Sequence, residues 1–332
     1  MSRKIAIDLG TSSIQIYIEG KGVVLNEPSV IAVDKYLNKV SRVGRDAAEL
    51  LGREPEGIEV VRPIRDGVIS RFNHTVVMLQ RFLRKSCGRF IIPPGVIIAV
   101  PSIVTDVEEH AVRDAAVSAG LKDPYLIDEP VAAAIGAGVD VTSDRGNMIV
   151  DIGGGTTDIA VICLGGPVVS SSIRVAGDEM TDAIVKYVRS KYSLIIGERT
   201  AEDVKIAIGS VWRRTDIQTT TVKGKSLKSR VPVMTELTSN DMTEALEEPV
   251  TALIEEICAV IEKTPPELVT DIAENGIILT GGGCQIYGLD KIISSVTGLP
   301  VKVADEPLLC VVKGAGKADS AGLIPSRDNY RK

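Results

Sequence analysis

The chain has 332 residues, of which 44% are hydrophobic and 25% are charged, so it is a folded protein long enough for two domains and not a disordered one. Its net charge at pH 7 is −6, and only 3% of its residues are aromatic. A negative chain with so few rings lacks both the electrostatic attraction and the stacking surface of a nucleic-acid-binding protein, and we expect no nucleic-acid partner.

Apolar strands and amphipathic helices are predicted to alternate in the first half of the chain. Thr105 and Glu108 have the spacing of a capping box, and Pro130 occupies a position that the start of a helix tolerates. The predicted strands cover residues 4–8, 14–18, 23–33, 96–100 and 125–127, with Glu27-Pro28-Ser29 interrupting the third. The predicted helices cover residues 73–85, 105–119 and 130–137. This order of elements predicts an α/β protein.

The second half repeats this alternation. The predicted strands cover residues 148–151, 158–163, 168–175 and 276–280, and the predicted helices cover residues 178–192, 200–209 and 241–263. The last of these helices is expected to stop at Pro265-Pro266. Residues 211–239 are rich in hydroxyl and basic side chains and strand-like in pattern, which indicates a small peripheral subdomain.

One phrase occurs twice: an apolar strand that ends in an aspartate, followed by glycine and small hydroxyl residues. The first copy contains Asp8-Leu-Gly-Thr11 and the second contains Asp151-Ile-Gly-Gly-Gly-Thr156. If a gap of two residues is allowed for the longer glycine segment of the second copy, Thr11 aligns with Thr156. A single Asp-x-Gly most often closes an ordinary hairpin. Two copies in matching frames predict instead two homologous lobes.

These residue types suit a bound phosphate. Glycines let backbone amides approach a ligand that a Cβ would hold away, and hydroxyl groups complete the cradle. A carboxylate this close to a phosphate requires a cation between them, so Asp8 and Asp151 predict Mg²⁺ held partly through water. No Gly-x4-Gly-Lys-Ser/Thr motif occurs, and the glycines lead into strands, which argues against a P-loop and against a dinucleotide-binding fold.

The five cysteines are odd in number and far apart, which is typical of a reducing compartment, and no apolar run approaches the length of a membrane span. We therefore expect a cytoplasmic protein. Phe90, Ile91 and Ile92 follow a basic stretch and lie between a predicted helix and a predicted strand, where a loop should be polar. They are either a contact with the membrane or the beginning of the next buried strand.

Four motifs, taken in order, resemble the superfamily that includes actin and the sugar kinases. They are Asp8-Leu-Gly-Thr, Asp128-Glu-Pro-Val-Ala-Ala-Ala-Ile-Gly136, Asp151-Ile-Gly-Gly-Gly-Thr-Thr-Asp and Leu279-Thr-Gly-Gly-Gly283. Connecting segments such as Asn26-Glu-Pro-Ser-Val and Ala176-Gly-Asp-Glu-Met180 are similar to those of the bacterial actins MreB and Mbl. The chain thus resembles the MreB/Mbl family from about residue 3 to about residue 318.

The resemblance implies an actin-like (ribonuclease H-like) α/β fold, duplicated into two lobes, with four subdomains around a central nucleotide cleft. The implied subdomains are IA at residues 1–32, 67–142 and 306–332, IB at 33–66, IIA at 143–180 and 240–305, and IIB at 181–239.

The resemblance also implies an ATPase that uses Mg²⁺. The implied nucleotide contacts are Asp8, Thr11, Ser12 and Ser13 in the first loop, Asp151, Gly153, Gly154, Gly155 and Thr156 in the second, Glu202 and Lys205 beside the adenosine, and Gly281, Gly282 and Gly283 beneath it. Glu129 is implied to orient or deprotonate the attacking water, with help from Thr156. The simpler alternatives are that Glu129 complements a helix dipole and that Glu202 and Lys205 form a surface ion pair.

Members of the family form membrane-associated, antiparallel double filaments that organise cell-wall synthesis in rod-shaped bacteria. The implied partners are other copies of the chain, the inner face of the cytoplasmic membrane, which Phe90, Ile91 and Ile92 would enter, and cell-wall synthesis and membrane-adaptor proteins. The implied location is the cytoplasm, at the membrane periphery. The alternative is a discrete soluble kinase or phosphatase acting on a small molecule, and a third interpretation is a chaperone ATPase.

Overall fold

The computed structural model describes residues 4–88 and 93–323. Within these residues, strands form where β-branched and apolar side chains alternate or run together. In chain order they are β1 (Ile5–Leu9), β2 (Ser13–Ile18), β3 (Gly22–Pro28), β4 (Ile31–Asp34), β5 (Lys39–Val43), β6 (Ile58–Val61), β7 (Ile64–Arg65), β8 (Val68–Ile69), β9 (Gly95–Val100), β10 (Lys122–Asp128), β11 (Asn147–Ile152), β12 (Thr157–Cys163), β13 (Gly166–Ile173), β14 (Leu194–Ile195), β15 (Thr219–Ser226), β16 (Pro232–Thr238), β17 (Ile277–Thr280) and β18 (Val301–Val303).

Helices connect these strands and cover the sheets. In chain order they are α1 (Arg45–Ala48), α2 (Phe72–Cys87), α3 (Asp106–Ser118), α4 (Glu129–Gly136), α5 (Gly177–Tyr192), α6 (Glu198–Ile208), α7 (Ser239–Ala245), α8 (Glu247–Lys263), α9 (Pro266–Asn275), α10 (Leu289–Thr297) and α11 (Cys310–Lys317). The predicted capping box is confirmed at the start of α3, where Thr105 N–H donates to Glu108 Oε2 at 2.8 Å.

Two five-stranded sheets share one topology. The first has the order β10-β9-β1-β2-β3, and the second has the order β18-β17-β11-β12-β13. In each sheet three antiparallel strands are followed by two parallel ones. The register also shifts at the same place in both, between Ile16 and Tyr17 in β2 and between Val161 and Ile162 in β12. A bulge shared at matching positions supports the duplication predicted from the repeated phrase.

Small residues form the layer between the two large sheets. Ala132 of α4 belongs to one buried cluster with Ile97 of the first sheet and Ile149 of the second. The helices α4 and α11 are in near backbone contact, since a Cβ at Gly314 would lie 1.7 Å from the carbonyl oxygen of Ala132. This close packing fixes the first turn of α4, and with it Glu129, between the two halves of the molecule.

Each half also carries a three-stranded sheet, β5-β4-β6 in the first half and β14-β15-β16 in the second. In the second half the core is continuous, because Val222 of β15 and Leu237 of β16 belong to the same buried cluster as Val150 of β11. The predicted subdomains at residues 33–66 and 181–239 enclose most of these two small sheets. The four-subdomain division stays a prediction.

The single helix predicted over residues 241–263 is wrong. Two helices, α7 and α8, occupy this segment and meet at Leu246. Helix α7 begins earlier than predicted because Thr238 and Asp241 form a capping box. Pro249 lies in the first turn of α8, and since proline has no N–H group it can follow a new helix start but cannot continue the hydrogen bonding of α7.

Candidate functional site

A cavity of about 720 Å³ lies between the β1–β2 hairpin and the β11–β12 hairpin, and both halves of the chain line it. It brings together all the residues predicted to contact nucleotide, metal or the attacking water. These are Asp8, Thr11, Ser12, Ser13, Glu129, Asp151, Gly153, Gly154, Gly155, Thr156, Glu202, Lys205, Gly281, Gly282 and Gly283. Their shared location is a finding, and their individual roles stay predictions.

The aspartates of the repeated phrase occupy equivalent positions in the central strands. Asp8 is paired with Gln15 across the first hairpin, and Asp151 is paired with Asp158 across the second. Burial, then the charge of Asp151, raises the pKa of Asp8 to about 7. Burial also raises the pKa of Asp151 to about 7, although the Thr280 hydroxyl donates to Asp151 Oδ1 at 2.7 Å. Two carboxylates that resist ionising together favour a cation between them.

The two glycine loops are in contact with each other. A Cβ at Gly154 would lie 2.0 Å from Ser12 Oγ, and a Cβ at Gly155 would lie 2.7 Å from Thr11 Oγ1. Only glycine permits such an approach. The backbone N–H of Gly67 donates to Thr11 Oγ1 at 2.9 Å and fixes that hydroxyl. Amides and hydroxyls from both halves therefore converge on one small volume, the arrangement expected for an anion-binding cradle.

The N-terminus of α5 adds positive potential to the second loop. Gly177 N–H donates to Gly153 O at 3.1 Å, and Asp178 N–H donates to Gly154 O at 2.7 Å. Both donor residues line the cavity. Because the first amides of a helix carry its positive dipole end, these hydrogen bonds stabilise the carbonyl groups of the second loop and hold the loop in place.

Glu129 is the first residue of α4 and is 9% exposed. Burial is the largest reason that its pKa lies well above the ordinary value, followed by the charges of Asp158, Asp8 and Asp151. A helix dipole alone would favour the ionised and exposed form of the side chain. The buried position on the cavity wall is therefore not explained by complementing the helix, and it favours a functional role for this side chain.

Glu202 and Lys205 are not a free surface pair. Lys205 Nζ lies 2.7 Å from Glu202 Oε2, and its side chain is only 10% exposed. Nζ also donates to Gly177 O at 2.7 Å and to Thr181 Oγ1 at 2.8 Å. These contacts tie α6 to α5, and both side chains line the cavity.

The cavity-wall residues that sequence reasoning missed include the polar side chains of Gln15, Asp178, Arg214 and Tyr287. The Arg214 guanidinium lies over the Tyr287 ring, 4.0 Å from its centroid. No sequence signal identifies Arg214, because it lies in an irregular segment. Gln15 does have a sequence signal, since it is a polar residue inside an otherwise apolar strand that follows the first aspartate.

The side chains of this region fit a divalent cation. Asp8 and Asp151 supply the hard oxygen donors that Mg²⁺ prefers. Gln15 adds an observation independent of them, because its Oε1 is buried and has no hydrogen-bond partner among the described residues. No group of three or more His, Cys, Asp or Glu side chains in residues 4–88 and 93–323 is arranged to hold a metal by itself.

The predicted membrane residues Phe90, Ile91 and Ile92 lie outside the described residues. Among the helices that the structure does describe, none is both long and apolar enough to span a bilayer.

Comparisons with known proteins agree with this architecture. A family model described as MreB/Mbl protein matches residues 2–322. The cell shape-determining protein MreB of Escherichia coli (strain K12) is 46% identical over 323 residues, which are 96% of this chain and 93% of that protein. The cell shape-determining protein Mbl of Bacillus subtilis (strain 168) is 43% identical over 328 residues, which are 98% of both.

Among solved structures, the crystal structure of MreB5 of Spiroplasma citri bound to ADP matches with a TM-score of 0.94 and 34% sequence identity. The match covers 100% of this chain and 99% of the other. The chain belongs to the MreB/Mbl family, and its fold is the actin-like α/β fold of two duplicated lobes around a central cleft.

Proposed function

We propose that this chain binds and hydrolyses ATP and polymerises into membrane-associated filaments that direct cell-wall synthesis and rod shape. One observation carries the proposal: Asp8 and Asp151, with the glycine loops that follow them, enter a single cavity from the two halves of the fold. The ADP bound to MreB5 of Spiroplasma citri and the cell-shape role named for the MreB and Mbl relatives support it.

In this proposal the phosphates lie between the two loops. The amides of residues 154 and 155 and the hydroxyls of residues 11–13 donate to phosphate oxygens, and the N-terminus of α5 adds its positive potential. Glu202 and Lys205 border the adenosine, and residues 281–283 pass beneath it. Because the Thr11 hydroxyl and the Lys205 ammonium are already held by hydrogen bonds within the protein, these two groups need little reordering on binding.

Hydrolysis would depend on Glu129, which orients or deprotonates the attacking water while Thr156 helps to position it. The packing of α4 against α11 holds the glutamate in place before the reaction, which is what an oriented attack requires. Mg²⁺, when bound, supplies positive charge that offsets charge on the phosphate oxygens. Asp8 and Asp151 would hold it, partly through water.

The nucleotide-bound chain would then assemble with copies of itself into antiparallel double protofilaments on the inner face of the cytoplasmic membrane. Cell-wall synthesis and membrane-adaptor proteins are the further partners. Closure of the two lobes on the nucleotide would select one subunit shape for assembly, and loss of phosphate would weaken the contacts between subunits. Membership of the family supports this part of the proposal.

Membrane contact is assigned to Phe90, Ile91 and Ile92. Neighbouring basic side chains contribute less to lipid attraction than their number suggests. Lys85 Nζ lies 2.5 Å from Glu27 Oε1. The guanidinium of Arg81 donates to the backbone oxygens of Val40 and Ser41 in β5. Since the Glu27 carboxylate offsets the charge of Lys85, the apolar side chains would carry most of the insertion.

Sedimentation tests the whole proposal. We expect concentration-dependent pelleting with ATP and Mg²⁺, release of phosphate in step with assembly, and co-sedimentation with vesicles that contain anionic lipid. A monodisperse protein that transfers phosphate to a small metabolite would overturn it in favour of a soluble kinase on the same scaffold.

A further inference from the structure

Gln15 is the cross-strand partner of Asp8 and is only 2% exposed. Since directly opposed residues of an antiparallel pair project to the same face of a sheet, the two side chains are neighbours, and both line the cavity. The nucleotide-binding function proposed above uses Asp8 but assigns no role to the neighbouring amide of Gln15.

The orientation of this amide is determined by its partner. Gln15 Nε2 donates to the backbone oxygen of Leu308 at 2.8 Å. A carbonyl oxygen only accepts hydrogen bonds, so the nitrogen must face Leu308 and the amide cannot be flipped. Oε1 consequently faces away from Leu308, and it is buried without a hydrogen-bond partner among the described residues.

The chemistry of Oε1 limits what can satisfy it. It is an acceptor, so it needs a hydrogen-bond donor or a cation. Phosphate oxygens are acceptors as well and cannot pair with it. The carboxyl groups of Asp8 and Asp151 are likewise acceptors only when a bound cation keeps them ionised. A ribose hydroxyl could donate, but the predicted adenosine contacts Glu202 and Lys205 lie on α6, whereas Gln15 lies beside Asp8 at the first phosphate loop. The hydroxyl groups of residues 11–13 also line this end of the cavity, but the proposed function assigns them to the phosphates. The donor left for Oε1 is water, and a water bound to a divalent cation is a strong donor.

We propose that Gln15 is a positioning residue for the divalent cation, its Oε1 accepting a hydrogen bond from a water molecule held between the cation and Asp8. This inference rests on the proposed nucleotide and cation site and extends it. It gives Gln15 a direct part in cation affinity and no part in binding the phosphates or the base.

The hydrogen bond from Gln15 also holds a short helix that in turn contacts the second half of the fold. Leu308 belongs to the short helix Pro307–Leu309, and the oxygen of Pro307 accepts a hydrogen bond from Gly281 N–H at 3.0 Å. Gly281 follows β17 and begins the loop predicted to pass beneath the nucleotide. The Gln15 amide therefore has two separable functions, a donor that supports this connection and an acceptor that faces away from Leu308.

Two substitutions separate these functions. Gln15→Leu removes both the donor and the acceptor while keeping a similar volume, and Gln15→Glu keeps an acceptor but loses the donor to Leu308. Tyr17→Phe on the same strand is the matched control, since Tyr17 does not line the cavity. The readout is the Mg²⁺ concentration that gives half-maximal binding of a fluorescent ADP analogue, together with the affinity for that analogue in EDTA.

For Gln15→Leu we expect the half-saturating Mg²⁺ concentration to rise by about three- to tenfold, the range that one hydrogen bond supplies, with unchanged affinity in EDTA. Gln15→Glu should need no more Mg²⁺ than the wild type, and Tyr17→Phe should match the wild type. If Gln15→Leu does not fold, Gln15→Met gives the same contrast.

Unchanged Mg²⁺ dependence in the Leu variant would overturn the inference, and so would equal losses in the Leu and Glu variants, because the effect would then act through Leu308. Both results leave nucleotide binding by the wild type intact. If the wild type binds no ADP at any Mg²⁺ concentration, the proposed function fails, and the role of Gln15 fails with it.

Discussion

Arg62 and Glu198 form a salt bridge between the two small sheets, with 2.6 Å between Arg62 Nη2 and Glu198 Oε1. Arg62 directly follows β6 of the first small sheet, and Glu198 begins α6, which contacts β15 of the second. Asp178 lines the cavity, and burial raises the pKa of its carboxyl group. The charge of Arg62 lowers this pKa, and the charge of Glu198 raises it. Two chain segments that are distant in sequence are thus joined beside the nucleotide cleft.

Breaking this pair should speed nucleotide release while lowering the free energy of unfolding only slightly. The side chains are 24% and 55% exposed, and partly exposed pairs contribute about 1 kcal/mol or less. We expect Arg62→Ala and Glu198→Ala each to raise the dissociation rate of a fluorescent ADP analogue roughly two- to fivefold, and the double variant to do no more. Arg145→Ala breaks a pair with Glu274 that does not line the cavity and is the control. Additive effects in the double variant, measured by stopped-flow release, would refute a direct link.

Replacement of Glu129 should separate binding from catalysis. Glu129→Gln keeps the shape of the side chain but removes the proton acceptor, so ATP turnover should fall by about 10²- to 10⁴-fold while ADP affinity changes little. Glu108→Gln, on the surface of α3, should retain full turnover. Single-turnover phosphate release measures the effect, and wild-type turnover in the Glu129 variant would remove this residue from the mechanism.

The paired aspartates predict an inverted pH dependence for the metal-free protein. Folding raises the pKa of Asp8 and of Asp151 from 3.8 to about 7, so the folded state binds protons more tightly than the unfolded state. Their contribution to stability is full at low pH and is lost as the pH rises through 7. We expect the free energy of unfolding in EDTA to fall between about pH 4 and about pH 7.

Asp151→Asn should reduce this fall and be more stable than the wild type at the upper end of the range, because it removes one of the two charges. Asp46→Asn, on the exposed surface of α1, should behave as the wild type. Denaturant titrations across the pH range give the slopes, and identical slopes for the wild type and Asp151→Asn would show that the aspartates do not control them.

Much of the site was predictable because its signals are local. Asp8 and Asp151 each end an apolar strand next to glycines, and the duplication of the phrase shows that the two strands are equivalent. Gln15 carried a weaker signal. Its position opposite Asp8 follows only once the hairpin register is known, and its contact with Leu308 depends on the packing of distant segments.

The rest of the fold shows where local signals mislead. The pair Pro265-Pro266 correctly ends α8, but the second proline also occupies the first position of α9, where its missing N–H costs nothing. Pro249 likewise begins a helix that the apolar periodicity alone continues through. Proline marks a helix boundary reliably, and whether a new helix follows depends on burial that the sequence does not display.

Arg214 should contribute to binding the base end of the nucleotide. Its guanidinium is stacked on Tyr287, is held by Asp216 Oδ2 at 3.1 Å and lines the cavity, so a bound purine could contact it on the open side. We expect Arg214→Ala to weaken ADP binding by about two- to thirtyfold, the range of a cation–π contact, and Arg214→Lys to restore only part of the affinity, since the planar group is lost.

Lys291 is the internal control. It lies 4.6 Å from the centroid of the same ring but does not line the cavity, so Lys291→Ala should leave the affinity unchanged. Isothermal titration with ADP decides the matter: equal losses in the Arg214 and Lys291 variants would mean that both cations act only by orienting Tyr287.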